Sequence, residues 1–261
     1  MTDHHSIERP VSRHEGAEPS AWAELGADLL HDHHGELLRA RLSGLIAGIG
    51  PSLAFEPIVH LHTGLRIGVE ALARFTGPVP TGDWFRHAHR LGLGSDLELR
   101  VLDEVIRSLP DRDGFVTVNL SADAVLDVRT VEILRHTDAT RLVVELTEQT
   151  RLPDLSVLRR RLDDLRATGA QLALHVDEFS ADMLQRMSWA SPAIVKFDPA
   201  ITRALSTGRA RAASAVNFMA ACQQMGVFSV AVGVRDADQR EVLRRFGIDA
   251  TQGPVDTDPT A

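Results

Sequence analysis

Beyond residue 53 the sequence alternates between short apolar runs of strand type and longer amphipathic runs of helix type. Few architectures accept that alternation. It opens with two strand patterns, "LAFEPIVHL" (53–61) and "LRIGVEALARF" (65–75), and the tight turn His62-Thr63-Gly64 between them makes them antiparallel neighbours. Further strand patterns sit at 115–120, 141–146, 171–176, 193–197 and 228–232, with a weaker one at 248–251. Helical patterns occupy 81–91, 95–109, 154–168, 208–225 and 236–246. Helices of this length between strands impose a parallel sheet with the helices outside. Eight strands in about 200 residues predict a closed TIM-like α/β barrel whose site lies at the C-terminal strand ends.

Ahead of the alternation the pattern is poorer. Residues 1–19 hold almost nothing that could be buried and are expected to be disordered. Residues 20–50 read as an amphipathic helical segment interrupted near Gly35, and 51–261 as the folded domain. The "HDHH" run at 31–34 reads as a solvated stretch beside a helix start rather than a metal site. A net charge of −8 argues against a polyanion partner, so no nucleic acid is expected. Cys222 is the single cysteine, which excludes an internal disulfide. No apolar run approaches the ~20 residues of a membrane span, and the polar N-terminus lacks a signal-peptide core. A soluble, cytoplasmic protein without membrane contact is the expectation.

Polar residues near strand ends carry the chemistry of such barrels. Glu70 follows an apolar strand, Asn119 closes "VTVN", Glu145 closes "LVVE", Lys196 closes "AIVK", and Gln252 follows the last strand. Two Glu and an Asn make an oxygen set suited to Mg²⁺ or Mn²⁺, and a nearby Lys suits a phosphate or a bound water.

These residues also carry a resemblance. "FEPIVHLHTGLRIGVEALARF", "VNLSADAVL", "LVVELTEQT", "IVKFDPAIT" and "GIDATQG" resemble the successive motifs of EAL-domain cyclic-di-GMP phosphodiesterases, with Glu70-Ala71-Leu72 as the name-giving tripeptide. The resemblance runs from Ala54 to Pro259. It implies a barrel whose first strand is antiparallel to the rest, and two Mg²⁺ or Mn²⁺ ions activating a water that opens one phosphodiester to give the linear dinucleotide. It further implies Glu70, Asn119 and Glu145 as metal ligands, Lys196 and Gln252 as catalytic groups, and Glu148 as the anchor of a loop that closes on the site. Arg74, Leu72 and position 56 would contact the ligand. Position 56, a Gln in the family, is Glu56 here.

The stretch "LALHVDEFSADM" (172–183) departs from that pattern. The family ends this strand in an Asp pair. Counting back from Lys196 without a gap places His175 and Val176 on the pair, and a frame shifted by two places Asp177 and Glu178 there instead. The ungapped frame keeps "AQLAL" and the loop's apolar positions in register, and it leaves Asp177 and Glu178 on the loop, outside the site. Val232 and Arg235, in "AVGVR", likewise replace family acids, and the loop "DEFSADM" has no glycine. Two ions about 3.5–4 Å apart need shared anionic bridges. With two carboxylates and one amide left, no metal is required and at most one weakly bound Mg²⁺ or Mn²⁺ is accommodated.

A catalytically impaired EAL domain is therefore expected, acting as a cyclic-di-GMP receptor or a protein-interaction module. A weakly active metal-dependent phosphodiesterase using Asp177 and Glu178 is the enzymatic alternative, and a scaffold without nucleotide is the third. With no sensor or cyclase segment in the sequence, a protein partner in trans is expected, and a homodimer is compatible.

Overall fold

The computed structural model describes residues 36–48, 50–77, 79–147, 155–207 and 213–254. The expectations for residues 1–19, for "HDHH" at 31–34, for Gly35 and for Glu148 fall outside them. The chain divides into two compact units, 1–41 and 42–261. Helix α1 covers 36–47, so of the first unit only the helical residues 36–41 are described. No helix among the described residues is long and apolar enough to cross a membrane.

The larger unit is a closed eight-stranded barrel in sequence order. Its strands are β1 (Ser52–His60), β2 (Arg66–Arg74), β3 (Phe115–Ser121), β4 (Leu142–Thr147), β5 (Gln171–Val176), β6 (Ile194–Phe197), β7 (Phe228–Val232) and β8 (Ala250–Gln252). β1 pairs antiparallel with both β2 and β8, and all other neighbours are parallel. The TIM-like barrel with a reversed first strand is thus what the chain forms. The turn that reverses it needs Gly64, whose φ of 68° is costly for any residue with a side chain.

The helical patterns of the sequence become α2 (Thr81–Arg90), α3 (Gly94–Ser108), α6 (Leu155–Ala167), α9 (Ala213–Met225) and α10 (Ala237–Phe246). Between strands lie α4 (Ala122–Leu126), α5 (Val128–Arg135), α7 (Ala181–Ala190) and α8 (Pro199–Ser206). Of these the sequence suggests only α7, as a loop helix. The other three span five to eight residues, too few turns for a periodic apolar stripe to declare itself. They are held by their caps: Ser121, Asp127 and Asp198 each accept a backbone N–H of the first turn.

Strand parity sorts the side chains into two cores. Ile58, Val143, Ala173, Ile194, Val230 and Ala250 fill the barrel interior. Val116, Val118, Leu142, Val144, Leu172, Leu174, Val176 and Val195 face outward, into the layer beneath the helices. Gly68 has an interior role of its own. A Cβ there would lie 2.7 Å from the Phe115 ring, so glycine is what lets that ring fill the barrel floor.

Candidate functional site

One layer above the apolar plug, the same parity turns polar. Moving two residues toward the C-terminal face from Val143, Ala173, Ile194, Val230 and Ala250 reaches Glu145, His175, Lys196, Val232 and Gln252. On the reversed β1 the step from Ile58 runs backward, to Glu56, which pairs with Glu70 across the β1–β2 ladder. Asn119 sits opposite Glu145 on the β3–β4 ladder, and His175 opposite Lys196 on β5–β6. Seven strands thus aim titratable or amide groups at one mouth because all share one side of the pleat, and only β7 offers an apolar residue there, Val232.

These groups satisfy one another. The Lys196 ammonium, 2% exposed, donates to Glu70 Oε2 at 2.6 Å and to Glu145 Oε2 at 2.7 Å. Asn119 Nδ2 donates to Glu70 Oε1 at 2.8 Å. Gln252 Nε2 spends its two hydrogens on Glu70 Oε2 at 2.6 Å and Glu56 Oε2 at 3.0 Å. Gln252 Oε1 is buried without a hydrogen-bond partner among the described residues. His175 stands between two carboxylates, Nδ1 3.7 Å from Glu145 and Nε2 3.6 Å from Asp198, distances of ion pairs rather than hydrogen bonds.

The electrostatics follow from burial and pairing. Burial alone would push the Glu145 carboxyl up, but Lys196 and His175 together hold it down at about 2. Burial likewise opposes the Lys196 charge, yet Glu145 and Glu70 prevail and its pKa is raised. The Glu145 carboxylate raises the His175 pKa against the effect of burial, with Asp198 adding to it. Three carboxylates (Glu56, Glu70, Glu145) therefore face one buried ammonium and an imidazole at their edge.

A cavity of about 460 Å³ opens here, lined by Asn119, Glu145, Thr147, His175, Asp177 and Met183. Asp177 departs from the expectation that it stays on the loop outside the site. It lies in the bend just past β5, exposed, and still lines the cavity beside His175. Glu178 is exposed and does not line the cavity. Val176 is fully buried in the outer layer, and Val232 offers no donor. Asp198, beside His175 and capping α8, escaped the sequence reading. Its only signal there was the Asp-Pro pair of a helix start.

Leu72 and Arg74 continue the inward face of β2 above Glu70, and Arg74 stands exposed at the rim. The structure sets Arg74 apart from the carboxylates of the mouth, in a second cavity of about 600 Å³ that Leu53, Phe55, Phe75, Glu104 and Arg107 also line. Its side chain donates to the Ala73 carbonyl at 3.1 Å. No three His, Cys, Asp or Glu side chains among the described residues converge as a metal centre would require.

A parallel-majority barrel with one reversed strand, carrying Glu, Asn, Glu, Lys and Gln on β2, β3, β4, β6 and β8, defines a narrow class of protein. Residues 39–255 match the EAL domain model, and the chain belongs to the EAL domain family. It is 28% identical over 252 residues to the bifunctional diguanylate cyclase/cyclic di-GMP phosphodiesterase MucR of Pseudomonas aeruginosa, covering 90% of this chain and 35% of that protein. It is 26% identical over 238 residues to the oxygen sensor protein DosP of Escherichia coli, covering 83% of this chain and 29% of that one. The chain thus spans about a third of the length of these relatives. Among solved structures, the Xanthomonas citri FimX EAL domain in complex with c-diGMP superposes with a TM-score of 0.77 at 19% identity, over 87% of this chain and 94% of that one. The PaMucR phosphodiesterase in its c-di-GMP complex gives 0.69 at 28% identity, over 79% and 95%.

Proposed function

We propose that this chain is a catalytically silent EAL domain that serves cyclic-di-GMP signalling as a metal-independent receptor for the dinucleotide. One observation carries the reading: the Lys196 ammonium bridges Glu70 and Glu145 at 2.6 and 2.7 Å, while amides of Asn119 and Gln252 complete Glu70. The carboxylates that would hold metal have a cation of the chain's own between them.

The donor set fits the family's two ions poorly. Each ion needs anionic oxygens, and two ions at close range need bridging carboxylates to offset their repulsion. At the family's acid positions stand His175, whose imidazole suits Mg²⁺ poorly, and Val176 and Val232, which ligate nothing. No step through a metal is assigned, and the chemistry left to the chain is recognition. Glu70 and Glu145 are fixed by Lys196, and Glu56 presents a carboxylate that accepts from the N–H edge of a guanine. Arg74 has no carboxylate partner among the described residues and is free to take a phosphate oxygen. The acids lost at 175, 176 and 232 remove repulsion that a dianionic ligand would otherwise meet. Binding the nucleotide leaves a protein partner in trans, or a second copy of the chain, to read the bound state.

A second reading has one observation in its favour. Asp177 lines the cavity with Glu145 and Asn119, and from there it could supply one acid to a single Mg²⁺ or Mn²⁺, giving slow hydrolysis. Prolonged incubation with cyclic-di-GMP and Mn²⁺ separates the two. The receptor reading expects no linear dinucleotide above a Lys196→Ala control. Product that appears in the native protein, and disappears in Asp177→Asn, would establish the enzyme instead.

A further inference from the structure

Three carboxylates are buried among the described residues: Glu70 and Glu145 in the barrel mouth, and Glu98 on α3, 3% exposed. A buried carboxylate is costly unless its oxygens are paired. Both oxygens of Glu98 are used. Oε1 accepts from His89 Nε2, at the end of α2, at 2.7 Å. Oε2 accepts from the Ser121 backbone N–H, also at 2.7 Å. Because a carboxylate only accepts, the His89 proton facing it is assigned to Nε2.

Ser121 is where this contact gains its reach. It ends β3 and caps α4, its hydroxyl accepting from the Ala124 N–H at 3.2 Å. Two residues earlier on the same strand face, Asn119 donates to Glu70. Fixing Ser121 therefore fixes the last turn of the pleat that aims Asn119 into the site. The ring has room because α3 begins with Gly94. A Cβ at that position would lie 2.3 Å from His89 Nδ1. A second tie, Arg129 of α5 to Asp96 of α3 at 2.7 Å, joins the two helices nearby.

We propose that His89 and Glu98 form a proton-linked positioning pair. As imidazolium and carboxylate they clamp the end of β3 and keep Asn119 on Glu70; loss of the Nδ1 proton leaves a neutral Nε2–H donor and removes the charge that strengthens the bond, which loosens that clamp. The groups facing His89 are Glu98 from α3 and Asp123 from α4, both acidic, and Gly94 presents no side chain. The Glu98 hydrogen bond raises the His89 pKa from its ordinary 6.5, burial opposes it, and the Glu98 and Asp123 charges add to the rise. A raised folded value means that the pair's stabilisation is fully present below pH 6.5 and is lost as pH climbs through the folded pKa. Any consequence for a bound nucleotide rests on the receptor reading above, but the clamp itself does not.

Amide NMR spectra of the full chain without nucleotide, taken from acid to alkaline pH, test it. In the native protein the Ser121 backbone amide should shift with the His89 ring, at a pKa above 6.5, and the Asn119 side-chain amide should carry the same step beside that of its cavity neighbour His175. The urea unfolding midpoint should fall across the same window. His89→Gln keeps a donor for Glu98 but no titration, so in that variant both amide signals and the midpoint should lose this step. Glu98→Gln should weaken the Ser121 bond at every pH, and should it fail to fold, His89→Gln still decides. Ser121 and Asn119 signals indifferent to the His89 titration, or a His89→Gln profile matching the native one, would overturn the proposal. The amide steps appearing in a protein that shows no nucleotide binding would uphold the pair and overturn only the receptor reading.

Discussion

Replacing Lys196 with methionine is expected to destabilise the protein by about 3–5 kcal/mol at neutral pH, because it strands two buried carboxylates without their cation. Few single substitutions cost that much, and the cause gives this one a signature. In the native protein the Glu145 carboxyl sits at about 2 against an ordinary 4.5. That depression contributes about 3 kcal/mol above pH 4.5, lost as pH falls toward 2. Without Lys196, Glu70 and Glu145 repel each other, and protonation relieves them. The gap between variant and native protein should therefore be widest near neutrality and narrow on acidification below about pH 5. Urea denaturation at pH 7 and again at pH 4.5 measures it. A pH-independent deficit would mean that lost packing of the lysine stem, not stranded charge, accounts for the effect.

The second large effect concerns the ligand, and it runs in opposite directions at two residues. Arg74→Ala should weaken cyclic-di-GMP binding by about ten- to a hundredfold, the worth of a charge-assisted hydrogen bond to phosphate. Glu56→Gln should tighten it by about three- to tenfold, because the amide oxygen still accepts from guanine N–H while one of the carboxylates (Glu56, Glu70, Glu145) that face a single ammonium is removed. The gain is open to test without a folding penalty. Glu56 is only partly buried, and the hydrogen bond that it accepts from Gln252 Nε2 can be accepted equally by a Gln amide oxygen. Calorimetric affinities of the two variants in one buffer decide it. Equal affinities in both variants and the native protein would place the nucleotide away from this mouth.

The barrel and its mouth were legible in the sequence for one physical reason. A strand in a closed barrel shows every second residue to the interior, so Glu70, Asn119, Glu145, Lys196 and Gln252 at apolar strand ends had nowhere else to converge. The hairpin around Gly64 gave away the reversed strand in the same local terms. What escaped depends on where the chain goes after a strand ends. Asp177 lies past β5, where strand periodicity stops, yet the bend there leaves it lining the cavity. Arg74 shares the parity of Glu70, but at the rim it opens onto a different cavity, and periodicity has no term for that. The His89–Glu98–Ser121 contact joins two helices to a backbone N–H, which leaves no pattern in any single element. The short helices α4, α5 and α8 announce themselves through caps alone.

The alternation that marks the family thus comes with a mouth whose acids are answered from within. MucR, named as a bifunctional cyclase/phosphodiesterase, and the oxygen sensor DosP are longer proteins, and this chain matches about a third of each. Its own residues specify a barrel in which Lys196 sits between Glu70 and Glu145, and the receptor we propose is one in which His175, Val176 and Val232 stand where the family has acids. A site so arranged should gain little from divalent ions.

Calorimetric titration of the native protein with cyclic-di-GMP, once in EDTA and once with Mg²⁺, tests this most directly. A metal-independent receptor binds in EDTA with an affinity that Mg²⁺ changes little. Binding that appears only with Mg²⁺, or no binding in either buffer, would contradict it.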